Sequence, residues 1–191
     1  MPRISAGSLQ EHRADLRRRV FDAFAELVGE RSYDAVTMAA IAERAGIGRT
    51  AIYHHFPDKA AVVVAFASDE TERYVARLTE VLGVTDDPVE QLRTYVRHHL
   101  AADEEFHLGL GPRLFAMLSD EARREIRGHV VAVEDVLRSV LVAGRDSGRM
   151  VVEDVEATLP LVHACLSPRH LPARTIESFV LRAVGAGGSA G

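Results

Sequence analysis

Residues 37–59, with the sequence TMAAIAERAGIGRTAIYHHFPDK, constrain the fold more than any other part of the chain. Thr37 is suited to cap a helix, and the apolar residues after it fall on one face of a short helix. Gly46 predicts the end of that helix, because glycine adopts a positive φ without steric cost. The sharp turn over residues 45–48 therefore predicts two short helices in a helix-turn-helix arrangement rather than one long helix.

A second short helix is predicted after the turn, over residues 49–56. Its spacing places Ile52 and Phe56 on an inner face, one helical turn apart, and leaves hydrogen-bond donors on the outer face. Pro57 is expected to end this helix, and Asp58 to cap a third helix whose first turn attracts anions. The donors of the outer face are Arg49, Thr50, Tyr53 and His54.

Residues 13–66, roughly a third of the chain, resemble the DNA-binding domain of the TetR (tetracycline repressor) family. The Tyr-x-x-Phe-x-x-Lys spacing is more specific than the Ala-Gly turn, which helix-turn-helix sequences share in general. The resemblance implies an all-α fold, with an N-terminal three-helix helix-turn-helix domain and a C-terminal helical domain for effector binding and dimerisation. The residues that carry it are Thr37, Ile41, Ala42, Ala45, Gly46, Ile47, Ile52, Tyr53, His55, Phe56 and Lys59.

The resemblance also implies a function, that of a ligand-responsive repressor that binds a palindromic DNA operator as a homodimer. Arginine reads guanine in the major groove, and tyrosine and histidine suit phosphate oxygens. Thr37 and Lys59 are expected to hold the DNA backbone on either side. Partial core packing is the alternative role for Tyr53, and His55 is expected to face the body of the protein. The implied DNA contacts are Thr37, Gly48, Arg49, Thr50, Tyr53, His54 and Lys59.

Two positions depart from the family pattern. Ser32 stands where the family usually has glycine at the end of its first helix, so either Ser32 adopts left-handed geometry or the helix ends differently. Thr50 replaces a frequent glycine, and it adds a hydroxyl and a methyl group to the surface that faces the groove. An altered DNA sequence preference is the expected consequence.

The distribution of charge is compatible with DNA binding although the formal net charge is −5. Residues 1–59 carry nine Lys/Arg against eight Asp/Glu, and the remainder carries fourteen against twenty. DNA affinity would therefore depend on a few placed cations and helix N-termini rather than on a broad basic surface. The single cysteine excludes an intrachain disulfide and indicates a reducing compartment. No apolar run suits a membrane span or signal peptide, so a cytoplasmic protein is expected.

Together with the apolar pattern, the resemblance implies a DNA-binding domain over residues 9–57 and a helical effector-binding and dimerisation domain over residues 58–186. The first helix is expected to start near Leu9, and a long helix over residues 58–82 is expected to link the two domains. Arginines cluster near the start of the first helix. Either they form a solvated cationic face, or Arg13 or Arg17 lies close to the DNA backbone. The apolar stripe of this helix is Leu16, Val20, Ala23, Phe24, Leu27 and Val28.

The second domain is expected to bind a small apolar or aromatic effector. Asp87, Pro88 and Glu90 form a strong helix start, and bends at residues 109–112 leave room for a cavity. Tyr95, His99, Asp103 and His107 recur every four residues, which is compatible with a metal site, with a polar effector pocket or with an ordinary polar network. The predicted pocket residues are Phe66, Tyr95, His99, Phe106, Leu114 and Phe115.

The resemblance implies that the last long helices of two subunits form a four-helix dimer interface. Apolar stripes over residues 120–145 and 155–166 are the candidates for these helices, and a final helix is predicted over residues 173–184. The predicted interface residues are Ile126, Val130, Val133, Leu137, Val155, Leu159, Val162 and Leu166.

No pattern of residues points to an enzyme, a cofactor or a metal centre. The sequence has no glycine-rich phosphate loop, no Cys-x-x-Cys and no Gly-x-Ser-x-Gly motif, and Cys165 is expected in the core. The rival interpretation is a small-molecule or metal sensor, or an interaction module, whose helix-turn-helix does not contact DNA. Substitution of Arg49 and Tyr53 separates the two interpretations.

Overall fold

A computed structural model describes residues 6–101, 119–168 and 170–186, without the side chains of residues 6–10, 125–127, 129 and 130. Within these ranges the secondary structure is helical, as the all-α prediction required. None of the described helices is long and apolar enough to cross a membrane. The helices are α1 (Ala6–Glu30), a short 3₁₀ helix (Tyr33–Ala35), α2 (Met38–Arg44), α3 (Arg49–His55), α4 (Lys59–Leu82), α5 (Pro88–Ala101), α6 (Asp120–Asp146), α7 (Val155–Leu166) and α8 (Ala173–Ala183).

The chain forms two compact units, and the boundary falls inside α4, between Asp69 and Glu70. The first unit also includes the start of α6, and the second unit includes the rest of α6 and the helices after it. The boundary lies beyond the predicted domain limit at residue 57 because Val62 and Val63, in the first half of α4, are buried in the core of the first unit.

The core of the first unit is built from α1 packed on the two short helices. Val20 and Phe24 of α1 are buried together with Ile41 of α2 and Ile52 of α3, as the spacing of apolar residues predicts. Phe21, which lies beside the predicted stripe, is also buried, whereas Val28 is only partly buried.

Ion pairs fix α2 against α1 at the surface of this unit. Arg44, in the last turn of α2, donates to Glu26 and Glu30 of α1 at 2.8 Å each. After α1, Ser32 has extended backbone angles, φ −61° and ψ 147°. The left-handed alternative for Ser32 is therefore wrong, because α1 ends at Glu30 and a 3₁₀ helix follows.

The second unit is a helical bundle in which α5 packs mainly against α8. Asp87 caps α5 as predicted, since its carboxylate accepts from the Val89 N–H at 2.9 Å. One buried carboxylate joins the two helices: Glu177 of α8 accepts from Arg93 at 2.6 Å and from Arg97 at 2.7 Å. The core of this unit includes Tyr74, Leu78, Leu92, Tyr95, Leu137, Leu141, Leu159, Leu166 and Val180.

Candidate nucleic-acid interface

The turn between α2 and α3 has the geometry that its glycine predicts. Gly46 has a φ of +64°, in the left-handed region. The Gly46 N–H donates to Glu43 O at 3.1 Å, and the Ile47 N–H donates to Ala42 O at 2.9 Å. These two bonds form a Schellman motif, which satisfies carbonyls at the end of α2 and fixes the direction of the chain. Gly48 then caps α3 with extended backbone angles.

The two sides of α3 differ sharply in exposure. Ile52 is fully buried and Phe56, just after the helix, is 2% exposed, so the inner face packs into the first core as predicted. The opposite face is open to solvent, and Tyr53 is 54% exposed. The alternative of core packing for Tyr53 therefore does not fit its exposure. The exposed residues of the predicted DNA surface on and before α3 are Gly48, Arg49, Thr50, Tyr53 and His54.

His55 corrects the sequence interpretation. The sequence predicts that it faces the body of the protein, but its side chain is exposed like that of His54. The last turn of α3 therefore presents two adjacent imidazoles to solvent, in addition to the exposed donors Arg49, Thr50 and Tyr53, which with His54 form the donor face of α3.

Thr37 caps α2 as predicted and is exposed. Its Oγ1 accepts a hydrogen bond from the Ala40 N–H at 3.1 Å. The hydroxyl hydrogen is not used in this bond, so Thr37 can still donate to an acceptor outside the chain. A contact between Thr37 and a phosphate is therefore compatible with its role as a cap.

Lys59, one of the predicted DNA contacts, has partners within the chain. Its Nζ donates to the backbone carbonyls of Tyr33 at 2.7 Å and Val36 at 2.8 Å, and it lies 3.9 Å from the centroid of the Tyr33 ring. Burial lowers the pKa of the Lys59 ammonium, against the opposing charge of Asp34. The ammonium group is thus held by the loop before α2, and its contact with a phosphate stays a prediction.

Several other cations of the first unit also have internal partners. The guanidinium of Arg17 lies 5.3 Å from the centroid of the Phe21 ring and 5.9 Å from that of Phe56. Arg19 donates to Gly46 O at 3.4 Å, and Arg44 is paired with carboxylates of α1. Fewer cations are therefore available to phosphates than the charge count of this segment indicates.

The predicted effector residues do not all lie in one place. Phe66 is partly buried and packs against the core of the first unit, with its ring edge-on to Phe21 at 5.9 Å and to Phe24 at 5.4 Å between ring centroids. Tyr95 and His99 belong to the second unit, and the assignment of Phe66 to an effector pocket stays a prediction. Phe106, Leu114 and Phe115 lie outside the described residues, as do Asp103 and His107.

Tyr95 and His99 instead belong to a cluster of hydroxyl and imidazole groups inside the second unit. The Tyr95 hydroxyl is 3.0 Å from His163 Nε2, and the ring of His99 stacks on that of Tyr95 at 6.1 Å between centroids. The Tyr74 hydroxyl lies 3.4 Å from His99 Nδ1. Burial raises the pKa of Tyr95 and lowers the pKa of His163, and the charge of Glu134 opposes the shift of His163.

Among the described residues, no group of three or more ligating side chains has the arrangement of a metal site. The cluster around Tyr95 is therefore a polar network in an apolar core. Its hydroxyl and imidazole groups contact one another, and in the described part of the chain they form no set of metal ligands.

The predicted dimer interface is also corrected. Six of its residues are buried within a single chain, because the apolar stripes of α6 and α7 form the core of the second unit. The side chains of Ile126 and Val130 lie outside the described residues. The six buried residues are Val133, Leu137, Val155, Leu159, Val162 and Leu166.

A different apolar surface lies on the outer side of α7 and α8. Leu161 is 65% exposed and Phe179 is 54% exposed, and a groove of about 470 Å³ runs between the two helices. Cys165, expected in the core, is only partly buried and lines this groove. Leu161 and Cys165 are four residues apart and form a second apolar stripe on α7. This spacing is the feature of the sequence from which the surface could have been predicted.

Comparison with known proteins agrees with the helix-turn-helix arrangement of α2 and α3. The sequence model of the family described as "Bacterial regulatory proteins, tetR family" matches residues 20–66. The chain is similar to the HTH-type transcriptional repressor Rv1474c of Mycobacterium tuberculosis, with 31% identity over 157 residues, which are 74% of this chain and 82% of that protein.

Solved structures show the same likeness over most of the chain. The TetR family transcriptional regulator PfmR from Thermus thermophilus is 25% identical, with a TM-score of 0.66 and coverage of 86% of this chain and 97% of that one. RolR in complex with its ligand resorcinol is 25% identical, with a TM-score of 0.61 and coverage of 91% and 89%.

Proposed function

Because the chain belongs to the tetR family of bacterial regulatory proteins, and is a DNA-binding transcriptional regulator, we propose that it represses transcription as a homodimer on a palindromic operator. The observation that carries the proposal is the exposed donor face of α3, supported from behind by the buried Ile52 and Phe56. The exposed side chains of α3 lie opposite this buried face. In the proposed complex Arg49 reads guanine through two parallel hydrogen bonds.

A twofold dimer turns this surface into recognition of a palindrome. Two copies of α3 related by a twofold axis read two half-sites in opposite orientation, separated by one or more turns of the DNA helix. The few cations available in the first unit favour recognition by base contacts over strong nonspecific binding.

Selection of bound duplexes from a random pool tests the proposal. The expected result is enrichment of an inverted repeat whose half-site centres are one helical turn, or a multiple of it, apart. Recovery of no enriched sequence at low ionic strength would contradict DNA recognition. It would favour the rival interpretation, a sensor or interaction module whose helix-turn-helix does not contact DNA.

The second unit is proposed to bind a small apolar or aromatic effector near Tyr95 and His99. The support is the cluster of hydroxyl and imidazole groups within an apolar core, together with the likeness to RolR, whose structure contains resorcinol. An effector that binds two conformations of the dimer with different affinity changes operator affinity by that difference.

A screen of phenols and other small aromatics by thermal shift tests the effector proposal. The Tyr95→Phe variant, which removes one hydroxyl, is expected to reduce the shift produced by a hit, and the matched Tyr53→Phe variant on α3 is expected to preserve it. An equal shift in wild type and Tyr95→Phe would place the ligand elsewhere.

The surface proposed for dimerisation is the outer side of α7 and α8. Leu161 and Phe179 are large apolar side chains exposed on either side of the groove, and a second copy of the same surface would cover them. A twofold contact of this kind pairs α7 and α8 of one subunit with α7 and α8 of the other, which gives four helices at the interface.

A further inference from the structure

Arg44 is the last residue of α2, and its guanidinium group joins two carboxylates of α1. Nη1 donates to Glu26 at 2.8 Å and to Glu30 at 2.8 Å, and Nη2 donates to the second carboxylate oxygen of Glu30 at 2.9 Å. The contact with Glu30 is therefore bidentate, the geometry in which arginine fixes the orientation of a carboxylate as well as its distance. The end of α2 is thus held to the last two turns of α1.

The two carboxylates of α1 favour a cation at this place. Glu26 and Glu30 are four residues apart, so they are neighbours on one face of the helix, where like charges repel each other. Glu30 is also the last residue of α1, and the C-terminal end of a helix disfavours anions. The hydrogen bond from Arg44 lowers the pKa of Glu30. Arg31 lies 3.6 Å from Glu30 as well, but it follows α1 directly and does not link that helix to α2.

The residue held in this way comes immediately before the turn that directs α3. Ala45 follows Arg44, and Gly46 then adopts its φ of +64°. The N–H groups of Gly46 and Ile47 donate back to carbonyls of α2, so the turn is short and closed. Arg19 of α1 adds a longer hydrogen bond, of 3.4 Å, to the carbonyl oxygen of Gly46. The first helix therefore contacts the motif at the end of α2 and again at the turn.

Apolar packing and hydrogen bonding constrain α2 in different ways. Ile41 and Ala42 are buried in the core of the first unit and keep α2 close to it, but burial of apolar surface is not directional. The hydrogen bonds of Arg44 are directional, so they favour one rotation of α2 about its own axis. Because the turn after Arg44 is closed, a change in that rotation would also change the direction of α3.

We propose that the ion pairs of Arg44 with Glu26 and Glu30 position the helix-turn-helix for DNA recognition, because they fix the end of α2 on α1 so that α3 presents its donor face in one orientation. Arg44 is a positioning residue, which acts through the turn at residues 45–48. None of these three residues belongs to α3. The inference rests on the DNA-binding function proposed above.

The test measures the Kd of Arg44→Met for the selected operator and for a scrambled duplex of equal length, with the active fraction determined by stoichiometric titration. The expected result is operator binding about tenfold weaker than in wild type, the order of one lost base contact, and unchanged binding of the scrambled duplex. Arg138→Met is the matched control, because Arg138 pairs with Asp135 and, through two hydrogen bonds, with Glu156 in the second unit. It is expected to bind both duplexes as wild type does.

An exchange of charges separates positioning from direct attraction of DNA. The double variant Glu30→Arg with Arg44→Glu keeps the net charge and allows an ion pair between α1 and α2 to form again. A positioning role predicts that it recovers most of the operator affinity that Arg44→Met loses. If Arg44 acts by attracting a phosphate, a carboxylate at position 44 weakens binding of both duplexes further, and that result overturns the proposal.

Two other results with Arg44→Met also overturn the proposal. One is wild-type affinity for the operator, and the other is a lower active fraction at unchanged Kd, which would assign Arg44 to stability alone. Failure of the proposed function is seen separately, since wild type itself would then bind no duplex with preference.

Glu30→Gln decides the question if Arg44→Met does not fold. This variant keeps Arg44 and removes a negative charge, which by itself would strengthen binding of both duplexes. A positioning role predicts the opposite for the operator, because the bidentate ion pair is lost. Weaker binding of the operator than in wild type supports the proposal, and equal or stronger binding contradicts it.

Discussion

At the scale of single residues, the carboxylate of Glu177 is a charge that joins α5 and α8 in the second unit. It is buried on α8 and accepts hydrogen bonds from Arg93 and Arg97 of α5. The hydrogen bond from Arg97, followed by that from Arg93, lowers the pKa of Glu177 against the opposing effect of burial. The two arginines keep part of their contact with water, whereas the carboxylate of Glu177 is buried. Loss of the ion pairs would therefore cost the carboxylate more than it costs either arginine.

Glu177→Ala is expected to lower the free energy of unfolding by about 1–2 kcal/mol, because it removes hydrogen bonds between charged groups that are only partly screened by solvent. Glu156→Ala is the control, since Glu156 pairs with Arg138 at an exposed site and its loss should leave the thermal midpoint nearly unchanged. Chemical denaturation of the two variants measures the difference. Equal stability of Glu177→Ala and wild type would contradict the assignment.

The lowered pKa of Glu177 also predicts the sign of one pH effect. The folded protein releases the Glu177 proton more readily than the unfolded chain, whose reference pKa is 4.5. The stabilisation is therefore complete above that value and is lost as the pH falls through the lower folded pKa.

His163 produces an effect in a higher pH range. Burial lowers its pKa from the ordinary value of 6.5, so the unfolded chain binds a proton before the folded protein does. Stability should therefore decrease as the pH falls below about 6.5. Among the groups near His163, the Tyr95 hydroxyl contacts its Nε2, and the carboxylate of Glu134 lies 3.9 Å from its Nδ1 and favours the charged form.

His163→Asn is expected to weaken the loss of stability between pH 7 and pH 5, and Glu134→Gln is expected to strengthen it, because it removes the charge that favours the imidazolium. Denaturation midpoints measured across this range check both directions. If stability fell more steeply with decreasing pH in His163→Asn than in wild type, burial would not be lowering the pKa of His163.

At the scale of elements, the turn between α2 and α3 depends on one backbone conformation. Gly46 has a φ of +64°, and no atom lies within 4 Å of where a Cβ would be. Gly46→Ala is therefore expected to destabilise the protein by about 1–2 kcal/mol through backbone strain alone. Gly29→Ala, at an equally open helical position in α1, is expected to stabilise it by about 0.5–1 kcal/mol.

Thermal unfolding of the two alanine variants gives opposite shifts under this account. The variants add the same methyl group to open space, so crowding cannot explain a difference in sign. Parallel shifts would mean that the left-handed conformation of Gly46 is not what defines the turn.

The elements that the sequence predicts best are those whose signals are local. The cap at Thr37, the glycine turn and the spacing of Ile52 and Phe56 lie within twenty residues, and the structure has each of them as predicted. The sequence does not predict the internal partners of Lys59, because the carbonyls of Tyr33 and Val36 lie more than twenty residues away and carry no side-chain signal. Backbone acceptors of this kind cannot be read from residue types.

Apolar periodicity has a similar limit in the second unit. The stripe of Leu159, Val162 and Leu166 predicts a buried helix face, but it does not tell whether the partner is the same chain or a second copy. The structure shows that this stripe is buried within one chain, and the exposed residues Leu161 and Phe179 lie outside it. Phe66 shows the same ambiguity, since an aromatic residue suits a core and a pocket equally well.

At the scale of the whole molecule, the proposed dimer predicts a change of mass in solution. Leu161→Glu combined with Phe179→Glu places two charges on the groove between α7 and α8, and the expected result is a monomer by sedimentation. Val84→Glu is the control, because Val84 is exposed in the loop between α4 and α5 and does not line the groove. A double variant that remains dimeric would place the interface elsewhere.

The function also depends on this assembly. A monomer has one copy of α3 and one half-site, so it loses the contribution of the second copy to operator affinity. The monomeric variant is therefore expected to bind the operator much more weakly than wild type while its first unit remains folded.

The most direct test of the central claim is the affinity of Arg49→Ala for the selected operator, compared with Arg145→Ala, which removes the same charge from the second unit. If α3 reads base edges, Arg49→Ala weakens operator binding by about 1–3 kcal/mol and relaxes the preference at one base pair of each half-site, and Arg145→Ala has no effect. Wild-type affinity and preference in the combined Arg49→Ala and Tyr53→Ala variant would show that this face of α3 does not contact DNA.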